Sequence, residues 1–180
     1  MTYIALLRGI NVGGHKLIKM EALRKSLERL PFTNVSTYIQ SGNILFESPN
    51  EDSAQLQRSI AEIIKMDFGF EVPVVIVTLD ELNDVVVNNP YSERILSDPA
   101  QPYISFLSEI PTRERVATLK EVDFGNDEFT VYKRWLYILY ESAAKTKLSN
   151  VVIERKLNLQ STARNWKTVH KLIELSQKIV

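Results

Sequence analysis

The residues best suited to chemistry lie near the start of the chain, in Leu7-Arg8-Gly9-Ile10-Asn11-Val12-Gly13-Gly14-His15-Lys16, which holds three of the six glycines. Glycine-rich backbone between a strand and a helix can turn several N–H groups toward one point. The partial positive charge of the helix N-terminus adds to them, so an anion binds there readily. Arg8 and Lys16 carry the sign such a ligand needs, and Asn11 adds an amide donor. Gly9, Gly13 and Gly14 leave the backbone open to close approach. A second polar stretch supplies Gln40, Ser41 and Asn43 around Gly42, and a third, Thr162-Ala163-Arg164-Asn165, places Arg164 and Asn165 at the expected start of the last helix. If the three meet in one cleft, they form a ligand site. Each also has a purely local reading: a tight turn, a hairpin loop and a helix cap.

The spacings rule out several named chemistries. A P-loop needs Gly-Lys-Ser/Thr where Gly14 is followed by His15, and neither the dinucleotide fingerprint nor a Gly-x-Ser-x-Gly nucleophile elbow is present. With no cysteine there is no thiolate nucleophile, disulfide or zinc ribbon. His170 and Glu174 share a helical spacing but have no third ligand, and His15 reads as a loop residue, so no metal and no cofactor are expected. The sequence assigns no catalytic residue.

With 22 basic and 22 acidic residues the formal charge is zero, which argues against a broad electrostatic footprint for nucleic acid or membrane. Tyr132, Trp135, Tyr137 and Tyr140, with Lys133 and Arg134, could form an aromatic sheet face of the kind that stacks RNA bases. Alternating aromatics in a strand are more often half core and half edge, so nucleic acid is not the expected partner. The apolar start of the chain is too short for a signal-peptide core and lacks a basic leader, and the run from Val72 to Val77 is broken by Pro73. A cytoplasmic protein is the expectation; oligomeric state is left open.

The elements that must position these residues follow from periodicity. Residues 3–8 read as a buried strand, and Met20, Leu23, Leu27 and Leu30 as an amphipathic helix ended by Pro31. Asn34 to Gln40 and Ile44 to Phe46 read as a hairpin around Gln40-Ser41-Gly42-Asn43. Leu56, Ile60, Ile63 and Ile64 mark a helix that stops before Gly69, and residues 72–78 a further strand. Thr78-Leu79-Asp80-Glu81 has capping-box spacing before a short helix. Asn88 to Pro102, with three prolines, reads as a linker or long loop.

The same grammar recurs, less regularly. Strand 102–107 leads to a helix opened by Pro111, then to a hairpin of 128–132 and 135–140. A helix over 145–157, a short strand over 159–162 and a final helix follow. Strand, helix, strand, strand, helix, strand is the split βαβ, or ferredoxin-like, unit. The expected architecture is α+β: two such halves in tandem, with antiparallel sheets and helices on one face. The expected division is 1–88, a linker over 89–102, and 103–180.

Three motifs in order, Ala5-Leu6-Leu7-Arg8-Gly9-Ile10-Asn11-Val12-Gly13-Gly14, Thr37-Tyr38-Ile39-Gln40-Ser41-Gly42-Asn43 and Thr162-Ala163-Arg164-Asn165-Trp166-Lys167-Thr168, give the chain a resemblance to the bacterial domain-of-unknown-function family 1697. The resemblance implies a cytoplasmic protein with a ferredoxin-like duplication and implies no activity. The functional expectation is therefore binding of a small phosphate- or carboxylate-bearing ligand through the glycine-rich turn, with hydrolase or transferase chemistry compatible with it. A noncatalytic module for a protein or nucleic-acid partner is the alternative.

Overall fold

The computed structural model describes residues 1–94 and 96–179. They form two compact units, Met1–Asn83 with the chain from Lys171 onward, and Asp84–His170.

The first unit runs β1 (Thr2–Leu7), α1 (Met20–Leu27), β2 (Thr33–Tyr38), β3 (Asn43–Glu47), α2 (Ser53–Phe68) and β4 (Val74–Thr78). Its four strands are antiparallel in the order β2-β3-β1-β4. Ala5 lies opposite Ile44 on one side and Ile76 on the other. Side chains alternate across a sheet, so Tyr3, Ala5, Leu7, Ile44, Phe46, Val74 and Ile76 share the face on which Leu23, Leu27, Leu56, Ile60 and Ile64 of the helices pack. Ile4, Leu6, Leu45, Val75 and Val77 on the opposite face are buried as well. Burial on both faces is why these strands are apolar without alternation.

The local signals set the helix ends. Asp52 caps α2, its carboxylate accepting from the N–H groups of Ala54 and Gln55, and Gly69 closes it in the left-handed region at φ 74°. The capping box forms in both directions before α3 (Leu79–Val87): the Thr78 N–H donates to Glu81 Oε2 at 3.0 Å and the Glu81 N–H to Thr78 Oγ1 at 3.2 Å.

The second unit repeats the topology with β5 (Tyr103–Leu107), α4 (Arg113–Lys120), β6 (Glu128–Tyr132), β7 (Trp135–Leu139), α5 (Asn150–Leu157) and β8 (Ser161–Asn165), strand order β6-β7-β5-β8, followed by α6 (Trp166–Gln177). Leu107, Leu136 and Ile138 face Leu119, Ile153 and Leu157 of its helices. Both halves are thus ferredoxin-like, with helices on one face of each sheet.

Three boundaries differ from the periodic reading. α4 opens at Arg113 behind Thr112, whose Oγ1 accepts from the Arg115 N–H, so Pro111 precedes the cap. α5 begins after Ser149, which caps it, and leaves residues 145–149 outside the helix. β8 runs to Asn165, which puts Arg164 in a strand, because Ile104 and Tyr103 of β5 pair with Arg164 and Asn165. No helix among the described residues is long and apolar enough to cross a membrane.

Candidate functional site

β1 ends at Leu7 and α1 starts at Met20, so the connection Arg8–Lys19 has room to form structure of its own. It folds into a small finger. The Asn11 N–H donates to the Lys16 carbonyl at 3.2 Å, and the His15 N–H to the Val12 carbonyl at 3.0 Å. Val12 and His15 form an antiparallel bridge across Gly13-Gly14, whose φ values are 58° and 78°. Two successive left-handed residues are what the tightest hairpin turn requires, and glycine supplies them at the tip. The helix N-terminus therefore does not lie at the glycines as the sequence suggests. α1 starts behind Lys19, which makes no side-chain cap, and the glycines belong to the finger.

One side chain braces the finger. Asn11 Nδ2 donates to the Ile18 carbonyl at 3.0 Å and to the Gln40 carbonyl at 2.8 Å, while its Oδ1 accepts from the Ile18 N–H at 2.8 Å. Its amide is engaged by the fold at both ends.

The hairpin loop docks on the same place. The Leu7 N–H donates to the Gly42 carbonyl at 2.8 Å. A Cβ on Gly42 would come within 2.7 Å of Leu7 Cβ and of Ile10 Cδ1, at φ 79°. Only glycine fits there. Asn43 is fully buried and donates from Nδ2 to the Tyr38 carbonyl at 2.9 Å and to Ser41 Oγ at 3.3 Å. The structure thus joins the glycine-rich stretch and Gln40-Ser41-Gly42-Asn43, with Asn11 and Asn43 holding backbone in place.

Lys16 Nζ reaches the Glu71 carbonyl at 2.6 Å, and the Glu71 carboxylate pairs with Lys65 at 2.7 Å. Arg8 is half-buried, whereas Gly9, Gly13, Gly14, His15, Lys19 and Gln40 are exposed. Three large aliphatic side chains stand out at this end of the sheet: Val12 at 63%, Leu17 at 66% and Ile39 at 46% exposure.

The second unit holds the remaining candidates. Arg164 is buried, and its Nη1 donates to Thr162 Oγ1 at 2.9 Å and to the Ala163 carbonyl at 2.8 Å. Burial lowers its pKa to about 10. Asn165 Oδ1 accepts from the Thr168 N–H at 2.8 Å and caps α6. In the aromatic hairpin Trp135 and Tyr137 are buried, while Tyr132 and Tyr140 are half-buried. Trp135 Nε1 donates to Asp84 Oδ2 at 3.3 Å and Tyr137 Oη to the Val85 carbonyl at 2.9 Å. Burial pushes the Tyr137 phenol up, and that of Tyr140, which donates to the Leu148 carbonyl, up to about 12. Lys133 sits on Asp84 at 3.0 Å, and that hydrogen bond holds the Asp84 carboxyl below its ordinary value, against its own desolvation.

His170 packs edge-on against Trp166, while Glu174 bonds Lys171 and Lys178, each at 2.7 Å, which lowers its pKa to about 2. Among the described residues no group of three or more histidines or carboxylates could hold a metal ion. A groove of about 280 Å³ is lined by Arg94, Gln101, Asn126, Glu128, Tyr140 and Glu141. Its polar groups bond one another: Arg94 to Glu128 through two hydrogen bonds of 2.8 and 3.0 Å, Asn126 to Glu141 at 2.9 Å, and Gln101 to the Tyr140 backbone.

A family model described as protein of unknown function (DUF1697) matches residues 1–137. The chain belongs to DUF1697. The matched span contains the finger and the hairpin loop and stops before Arg164 and Asn165. No curated protein matches the chain. Among solved structures, this DUF1697 chain is similar to the conserved bacterial protein SP0830 from Streptococcus pneumoniae. The two are 24% identical with a TM-score of 0.69, over 97% of this chain and 98% of that one. At that identity the likeness is one of fold.

The sequence groups Asn11 and Asn43 of the DUF1697 chain with the candidate ligand donors; in the fold the Asn11 amide bonds the backbone of Ile18 and Gln40, and the Asn43 amide bonds Tyr38 and Ser41. The sequence did not single out Gly42, whose position inside a turn motif was its only signal, nor Asp84, which had none.

Proposed function

We propose that the loop end of the first sheet is an anion-binding site for a phosphate- or carboxylate-bearing ligand. The observation that carries this reading is the charge of a hydrogen-bonded loop. From Met1 to Met20 the chain contains Arg8, Lys16 and Lys19 and no acidic residue, in a protein whose total charge is zero. Gly13 and Gly14 add exposed backbone at the finger tip, and the Asn11 brace means that little order has to be gained when a ligand arrives. Arg8, Gly9, Gly13, Gly14 and Lys16 make up the proposed contact set with Lys19, and Gln40 and Ser41 border it. Asn11 and Asn43 position the loops. Arg164 and Asn165 are outside it, one buried in β8 and the other capping α6. No reaction step is assigned.

The test is thermal unfolding with pyrophosphate, citrate and, at matched ionic strength, chloride. A ligand that binds only the native state stabilises it by roughly 2.7 kcal/mol at a hundred times Kd, a rise of about 5–10 °C for a chain of this size. Pyrophosphate or citrate should raise Tm in the wild type and not in a Lys16→Ala/Lys19→Ala variant. Equal shifts in both proteins, or the same shift with chloride, would refute the proposal.

A further inference from the structure

We infer that the ligand of this loop end is a segment of another protein that carries carboxylates together with aliphatic side chains. The inference rests on the anion reading and names the ligand class. Val12 follows Asn11, Leu17 precedes Ile18 and Ile39 precedes Gln40, and Asn11 bonds both Ile18 and Gln40. The three exposed aliphatic groups are therefore each one residue from a member of a single hydrogen-bonded brace, and Leu17 stands between Lys16 and Lys19 in sequence. Exposed aliphatic surface on loops that also carry Lys16 and Lys19 is complementary to a chain that offers apolar groups and negative charge together.

Other occupants fit less well. Sequence-tolerant binding of single-stranded nucleic acid uses exposed aromatics for stacking. The finger has none, and Tyr38 of the hairpin is half-buried. Anchoring at a lipid interface favours Trp and Tyr at headgroup level, and the exposed groups here are Val, Leu and Ile. A second copy meeting this surface about a two-fold axis would set Lys16 and Lys19 near their own equivalents, like charge against like.

The test uses the full chain and a random dodecapeptide library displayed on phage, selected in parallel on the wild type and on a Val12→Ser/Leu17→Ser/Ile39→Ser variant. All three sites are exposed, and circular dichroism and thermal unfolding verify that the variant folds. The wild type should enrich peptides that mix Asp or Glu with Leu, Ile or Val, and the variant should not. A synthetic, fluorescein-labelled peptide from that pool should bind about tenfold more weakly to Leu17→Ser and to Lys16→Glu, and more weakly as salt rises. Selection of peptides without carboxylates, or the same pool on both proteins, overturns the inference. So does tighter binding to phosphatidylserine vesicles or to a single-stranded oligonucleotide. If oligoglutamate binds as well as the mixed peptide, the inference fails and the anion reading stands. If citrate, pyrophosphate and acidic peptides all fail, both fall.

Discussion

Replacing Asn11 tests the brace directly. The side chain makes three hydrogen bonds, two donated to carbonyls of Ile18 and Gln40 and one accepted from the Ile18 N–H, in a residue held at φ 54°. The two bonds to Ile18 are part-buried and the one to Gln40 is exposed; at about 0.5–1 kcal/mol each, Asn11→Ala should lose roughly 2 kcal/mol from bonding. Holding alanine in the left-handed region costs about 1 kcal/mol more, for a total of about 3 kcal/mol. Asn11→Gly loses the same bonds without the strain, but glycine gives up about 0.4–1 kcal/mol more unfolded-state entropy. Glycine should therefore be milder than alanine by at most about 0.6 kcal/mol. Asn11→Asp keeps the acceptor and turns a carboxylate oxygen toward two carbonyls, so it should fall near alanine. Urea unfolding ranks the three, and hydrogen exchange at the Ile18 amide reports the brace itself, which should lose protection in every variant. If Asn11→Ala stays within about 0.5 kcal/mol of wild type and the Ile18 amide remains protected, the finger is held by something other than this side chain.

Two further substitutions test neighbouring claims. Gly42→Ala should destabilise by about 2–4 kcal/mol from overpacking and left-handed strain together, because its Cβ would meet Leu7 and Ile10 at 2.7 Å. Gly9→Ala, at φ 70° with open space around it, should lose only the strain; equal losses in urea unfolding would rule out the close packing. Asp84→Asn should weaken the fold at pH 7, where the wild-type carboxylate bonds Lys133 and Trp135. The folded value of Asp84 lies below its unfolded one, so this stabilisation is present above the ordinary carboxylate range and is lost as pH falls through the folded value. The gap between wild type and variant should close on acidification, stay constant around neutral pH and narrow again where Lys133, whose folded value the same pair raises, gives up its proton; a gap that persists in acid would remove the carboxylate from the account.

The elements of both halves are legible in the sequence because their causes are local. Leu23 and Leu27, or Ile60 and Ile64, recur at the helical period. Gly69 ends α2 where a left-handed residue is needed, and Thr78 and Glu81 face each other across one turn. Given those elements and their spacing, the split βαβ order follows from short connections and antiparallel pairing.

The roles of the polar residues are not local. Asn11 meets Gln40 across 29 positions, and Asp84 meets Lys133 and Trp135 across 49 and 51. Whether an amide faces a ligand or a backbone carbonyl depends on which loop the register of β1 against β3 brings beside it. Arg164 reads as a helix-start cation until its pairing with Ile104 sets it in a strand and buries it. In the sequence Val12 lies within the glycine-rich turn and Ile39 near the end of a strand, and neither reads as surface. Their exposure belongs to the folded loops. The sequence by itself determined the periods and the caps; the tertiary structure decided which side chains are braces and which are surface, because that choice rests on contacts between residues far apart in the chain.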